Sequence, residues 1–170
     1  MGYVKDKFKE KADQQSKEIK EMLAQHGELV LDKVTLAQAY QGARGIPALV
    51  TETSLLDANE GIRFRGFSIP ELRAQFPKAE GGIEPLPEGL FYLMLTGEIP
   101  TKDDVDHIST TWARRSHVPT HVFAAIDALP VATHPMTQFC AGIIALQTES
   151  KFAKAYNEGI SKKEHWDYVY

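Results

Sequence analysis

The sequence predicts a mainly α fold, many helices with one small β-hairpin near the amino end, and three observations carry that expectation. Val4, Phe8, Ala12, Ile19, Met22 and Leu23 recur at spacings of three, four and seven among dense mixed charge, which is the stripe of an amphipathic helix. Apolar and cationic residues alternate from Ile62 to Phe67, after the turn residues Asp57-Ala58-Asn59-Glu60-Gly61, as a strand requires. Beyond Pro87 the apolar residues fall almost entirely at helical spacing, punctuated by Pro, Ser, Thr and Gly.

The long first helix is expected over residues 3–26, stopped by Gly27. Its narrow stripe fits a solvated surface helix better than one that docks on a partner. A small β region over residues 28–67 follows. Leu29, Val30, Leu31 and Val34 suit a short strand, Leu36 to Tyr40 a short helix, and Ala48 to Leu56 a second strand. In the hairpin, period two puts Ile62, Phe64 and Gly66 on one side and Arg63, Arg65 and Phe67 on the other.

The helical region is expected over residues 68–170. Ser68 as N-cap, with Pro70 and Glu71 in the first turn, starts a helix that ends near Phe76-Pro77. Residues 78–87 form the one loop-like stretch of length, with Gly81-Gly82 and Pro85. Pro87-Glu88 opens a helix too apolar all round to lie on the surface, and Gly97 stops it. Thr101, Asp103 and Asp104 begin the next, with Val105, Ile108 and Trp112 facing inward. Pro119-Thr120 begins another, closed by Pro130.

Pro135 starts a helix with Met136, Phe139, Cys140, Ile143, Ile144 and Leu146 on one side and Ala141, Gly142 and Ala145 on the other. It is expected to be buried on both faces, as a core helix or a subunit interface, with Cys140 packed inside. Ser150 begins a helix that runs to Gly159, and Ser161 caps one still running at Tyr170. That apolar and aromatic ending, without a stop signal, leads us to expect a cut chain.

Composition narrows the function. The chain has 170 residues, 43% hydrophobic and 25% charged, with a net charge of -4, which is the range of one soluble domain and not the basic footprint of a nucleic-acid binder. The single cysteine rules out an internal disulfide framework. No apolar run reaches the length of a membrane span. The first 26 residues interleave lysines with acids, unlike a transit peptide or secretory signal, so the start is expected to be mature or never targeted.

No self-contained catalytic constellation is legible. His26, His107, His117, His121, His134 and His165 form no metal-ligand spacing, and Pro119 interrupts the helix that would align His117 with His121. No metal site is expected. There is no phosphate loop or dinucleotide fingerprint, and Gly66-Phe67-Ser68 lacks the second glycine of a nucleophile elbow. His134 precedes a proline and is read as an extended helix entry. The turn Gly42-Ala43-Arg44-Gly45 before Pro47 presents a guanidinium beside backbone N–H groups, which suits either an anion or a plain turn.

Longer motifs add a resemblance. Glu60-Gly61-Ile62-Arg63-Phe64-Arg65-Gly66-Phe67-Ser68-Ile69-Pro70-Glu71, then Pro85-Leu86-Pro87-Glu88-Gly89-Leu90-Phe91-Tyr92, Leu95-Thr96-Gly97-Glu98-Ile99-Pro100-Thr101 and His134-Pro135-Met136 resemble, in order and spacing, the citrate synthase family in its homodimeric, mitochondrial-like type. The resemblance implies an N-terminal portion of the large helical domain of a two-domain dimeric enzyme that condenses acetyl-CoA with oxaloacetate to citrate and CoA. In that family an aspartate takes a proton from the acetyl methyl, histidines polarise carbonyls and arginines bind oxaloacetate, without a metal or a permanently bound cofactor. Those residues fall past residue 170, so no catalytic residue is assigned here and the chain is expected to be inactive alone.

The resemblance also implies two contacts to the CoA phosphates, Arg44 and Lys162. The second stands where the family carries arginine and serves the neighbouring subunit's site; lysine keeps the charge and loses the bidentate fork. The alternatives are a 2-methylcitrate synthase, which would prefer propionyl-CoA, and a non-catalytic helical dimerisation module. A cytoplasmic location is expected, with the mitochondrial matrix as the alternative; neither a membrane nor nucleic acid is an expected partner.

Overall fold

A computed structural model describes residues 2–169. It is mainly helical, with one small antiparallel sheet, and divides into a unit that ends at Trp112 and another that starts at Ala113.

The first unit opens with α1 (Gly2–His26) and α2 (Leu36–Tyr40), continues through β1 (Ser54–Asp57), β2 (Gly61–Phe64) and β3 (Phe67–Ser68), and then α3 (Ile69–Gln75), α4 (Pro87–Thr96) and α5 (Lys102–Arg114), whose last turn crosses the boundary. The sheet order is β1-β2-β3, with Leu55 opposite Arg63 and Arg63 opposite Ser68. The expected hairpin thus gains a third strand. A left-handed turn at Arg65 (φ 49°) and Gly66 (φ 87°) reverses the chain after Phe64. The simple alternation over 62–67 fails there, and Arg63 and Arg65 do not line one strand face.

α3 starts on a reciprocal capping box: Ser68 N–H donates to Glu71 Oε2 at 2.7 Å, and Glu71 N–H donates to Ser68 Oγ. α4 stops at Gly97 (φ 75°), whose N–H donates to Leu93 O. Leu72, Phe76 and Leu93 form a buried core with Phe64, Phe67, Leu90 and Ile99 packed against it, each large side chain contributing roughly 1.5–3 kcal/mol by leaving water. Gly89 is needed for that approach, since a Cβ there would lie 3.0 Å from the Phe76 ring. Tyr92, Val4, Val105 and Ile108 are also buried, and Phe91 meets Trp112 edge to face at 5.2 Å.

Two expected strands are corrected. Residues 28–35 have no strand structure, and Ser54 is the first β residue of the 48–56 stretch. Leu29, Val30 and Leu31 are largely exposed. Strand periodicity describes one edge, and a strand also needs a partner for its N–H and C=O groups; among the described residues none pairs with 28–35.

The second unit contains α6 (Thr120–Asp127), α7 (Pro135–Ala145) with a 3-10 turn at Leu146–Glu149, α8 (Lys151–Asn157), a second 3-10 turn at Lys162–Glu164, and α9 (Trp166–Val169). α7 lays Gly142 against α6, where an added Cβ would sit 2.9 Å from Ile126 Cδ1. The core-helix setting expected for α7 is corrected. Phe139 is 60% and Ile144 73% exposed, with Met136 and Ile143 similarly bare, because α6 packs on the small-residue side, at Gly142. Cys140, expected inside, is exposed for the same reason. The expected continuation of the last helix through Tyr170 lies outside the described residues.

Candidate functional site

The Arg44 turn is built from the end of α2. Ala43 N–H donates to Gln38 O at 2.9 Å and Ile46 N–H to Ala43 O at 3.1 Å, while Gly42 (φ 74°), Ala43 (φ 61°) and Gly45 (φ 72°) are all left-handed. Glycine takes that conformation freely; Ala43 does so at a cost of roughly 1–2 kcal/mol. The result is a sharp bend that projects Arg44 into solvent, with no hydrogen bond or ion pair to any described residue.

Lys162 sits on a turn of different design. Just past the end of α8 stands Gly159 (φ 81°), with its N–H donating to Tyr156 O at 3.0 Å. Ser161 then caps the short turn: Lys163 N–H donates to Ser161 Oγ at 3.3 Å, and Ser161 N–H donates to Glu164 Oε2 at 3.3 Å. Lys162 and Lys163 are both exposed at its crest. Arg44 and Lys162 belong to different units.

The other cations of the motif region are committed to the fold. Arg65 donates to Met94 O from Nε (3.3 Å) and Nη2 (2.8 Å), satisfying a last-turn carbonyl of α4 that the helix itself leaves open. Arg63 donates from Nε to Glu60 Oε2 at 2.9 Å and from Nη1 to Gly66 O at 3.0 Å, with Glu71 at 3.8 Å. The hydrogen bond and charge of Glu60 hold Arg63 above its ordinary value, with Glu71 and Asp57 adding to the effect. The Glu71 carboxyl is held low, chiefly by the Ser68 hydroxyl and N–H and then by Arg63.

A second cluster had no signal in the sequence, because its members lie 85 and 91 positions apart. Lys7 Nζ donates to Tyr92 Oη at 2.7 Å and to Glu98 Oε2 at 3.1 Å and lies 5.0 Å from the Tyr3 ring centre. Hydrogen bonds with Tyr3 and then Tyr92, reinforced by Glu98 and opposed by burial, raise the Lys7 ammonium above its ordinary value. Lys7 in turn lowers Glu98. Burial works to raise Asp104, but the Thr101 hydroxyl, donating at 2.6 Å, and its N–H, at 2.9 Å, leave the carboxyl below its usual range. This cluster clamps the first turns of α1 onto α4, and its ammonium donors are taken up internally.

His134 has a structural role: its Nδ1 accepts the Met136 N–H at 3.1 Å as the N-cap of α7. Among the described residues no His, Cys, Asp or Glu group is arranged to hold a metal, and no helix is long and apolar enough to cross a membrane. An open apolar cleft of about 270 Å³ lies against Leu72, Phe76 and Leu90, but its one charged lining residue, Arg73, is paired with Glu84.

A family model described as "Citrate synthase, C-terminal domain" matches residues 42–170, which include both candidate turns. The chain belongs to the citrate synthase family. It is 52% identical over 167 residues to "Citrate synthase, mitochondrial" of Saccharomyces cerevisiae, covering 98% of this chain and 35% of that protein. The proteins of the same name from Aspergillus niger and Daucus carota are 51% and 49% identical over the same share of each chain. This chain therefore spans about a third of the length of these curated citrate synthases. The resemblance carried by residues 60–71 and the later motifs is borne out at the level of the family, as is the mainly α fold.

Proposed function

We propose that this chain is the amino-terminal part of a homodimeric citrate synthase, which condenses acetyl-CoA with oxaloacetate to give citrate and CoA. The observation that carries the proposal is identity of about 50% along 98% of the chain to proteins named for that activity. Within this portion, Arg44 and Lys162 are the CoA contacts: exposed cations on preformed turns, available to phosphate oxygens. The bare apolar face of α7 supports the dimer, since an uncovered stripe of large side chains is what a second subunit buries. The proton-transfer residues of the family are supplied by sequence past residue 170, so these 170 residues alone are inactive. The relatives' names favour the mitochondrial matrix over the cytoplasm expected from the sequence.

Thiol release from acetyl-CoA in the presence of oxaloacetate tests this. The full-length protein is expected to release CoA and form citrate, and the 170-residue chain to release none above background. Turnover by the isolated chain overturns the location of the chemistry. A full-length protein inert with acetyl-CoA overturns the activity, and a preference for propionyl-CoA reassigns it to 2-methylcitrate synthesis.

A further inference from the structure

The turn that carries Lys162 is closed at both ends onto α8. At its start Gly159 N–H and Ile160 N–H donate to Tyr156 O and Ala155 O, at 3.0 and 3.3 Å. At its end the His165 ring meets Phe152 edge to face, with centres 5.3 Å apart and planes at 83°, and lies 6.0 Å from Tyr156. Phe152 and Tyr156 meet one helical turn apart, with centres 5.9 Å apart and planes tilted by 44°, so His165 closes a three-ring brace. Phe152 and His165 are partly buried, while Lys162 and Lys163, between the two closures, are exposed. Lysine has a flexible stem and no planar fork, so the backbone beneath it must supply the direction of approach to an anion.

We infer that His165 is a positioning residue: through its ring contacts with Phe152 and Tyr156 it fixes the 161–164 turn and orients Lys162 for the phosphates of CoA. This rests on the assignment of Lys162 as a CoA contact. In this role His165 acts through the backbone of its own turn. Aromatic shape is what the brace uses, so phenylalanine can replace histidine and alanine cannot.

The KM for acetyl-CoA of the full-length protein tests both layers, with Lys162→Met, His165→Ala, His165→Phe and the double variant Lys162→Met/His165→Ala. Lys162→Met is expected to raise KM about fivefold at nearly unchanged kcat, as loss of one charge-assisted contact would. His165→Ala should raise KM about threefold, His165→Phe should restore it, and the double variant should be no worse than Lys162→Met, because nothing is left to orient. An unchanged KM in Lys162→Met overturns the CoA assignment and the positioning role together. A raised KM in Lys162→Met with a wild-type KM in His165→Ala, or full additivity in the double variant, overturns the positioning role alone. Should His165→Ala fail to fold, Phe152→Leu removes the ring partner, keeps apolar bulk and is held to the same outcomes.

Discussion

Arg44 and Arg65 each sit in a left-handed turn beside a glycine, and the two guanidiniums have opposite fates. Arg65 spends two donors on Met94 O at the end of α4; Arg44 stands in solvent with no described partner. In the sequence the Arg63–Arg65 stretch looks the more site-like of the two, with two cations between glycines. What makes Arg65 a structural cation is that its donors are already used, and that depends on an α4 carbonyl 29 positions away.

The contrast can be broken first at Arg65. Arg65→Met leaves a helix-end carbonyl without its partner and should destabilise the chain by about 1–3 kcal/mol, read as a lower urea midpoint. Arg65→Gly loses the same bonds but relieves the left-handed backbone, so it should fall short of that loss. An equal loss in both would mean that the backbone at 65 carries no strain. The Arg63 network should give a smaller, pH-dependent effect. Glu71 is held below its ordinary value, so its contribution is complete above the ordinary carboxylate range and is lost as pH falls through its depressed native value. The urea midpoints of wild type and Arg63→Met should therefore draw closer in acid, the Arg63–Gly66 O bond keeping a residual gap. A gap that does not narrow there would remove Glu71 from the network. Smallest is Ala43→Gly in the Arg44 turn, expected to stabilise by about 0.5 kcal/mol because glycine adopts φ 61° without the Cβ clash, less its greater freedom when unfolded. A destabilised Ala43→Gly would show that the bend needs the Ala43 side chain.

Local signals in the sequence located most helix ends. The Ser68 capping box, the Gly97 stop, the Pro87 and Pro135 starts and the 36–40 helix each depend on residues within one turn of one another, so neighbours in the sequence determine them. Failures came where a distant partner decides. α4 and α7 look equally apolar, yet Leu93 in α4 is fully buried while the large face of α7 is bare, because α4 has the α3 core against it and α7 turns its small-residue side to α6. Residues 28–35 have strand chemistry without a second edge. The Lys7 cluster joins residues from α1 and the end of α4 that no spacing rule connects. Of the candidate site, the residue types and the turn at Arg44 were legible; the brace under Lys162 was not, since edge-to-face packing of His165 on Phe152 depends on how the chain folds back.

The most direct measurement pairs Arg44→Met with Arg65→Met in the full-length protein, recording for each the KM for acetyl-CoA and the urea midpoint. We expect Arg44→Met to raise KM at least about fivefold with an unchanged midpoint, and Arg65→Met to lower the midpoint with a wild-type KM for the folded enzyme. An Arg44→Met variant with wild-type KM and a lowered midpoint would contradict the division of labour between the two turns.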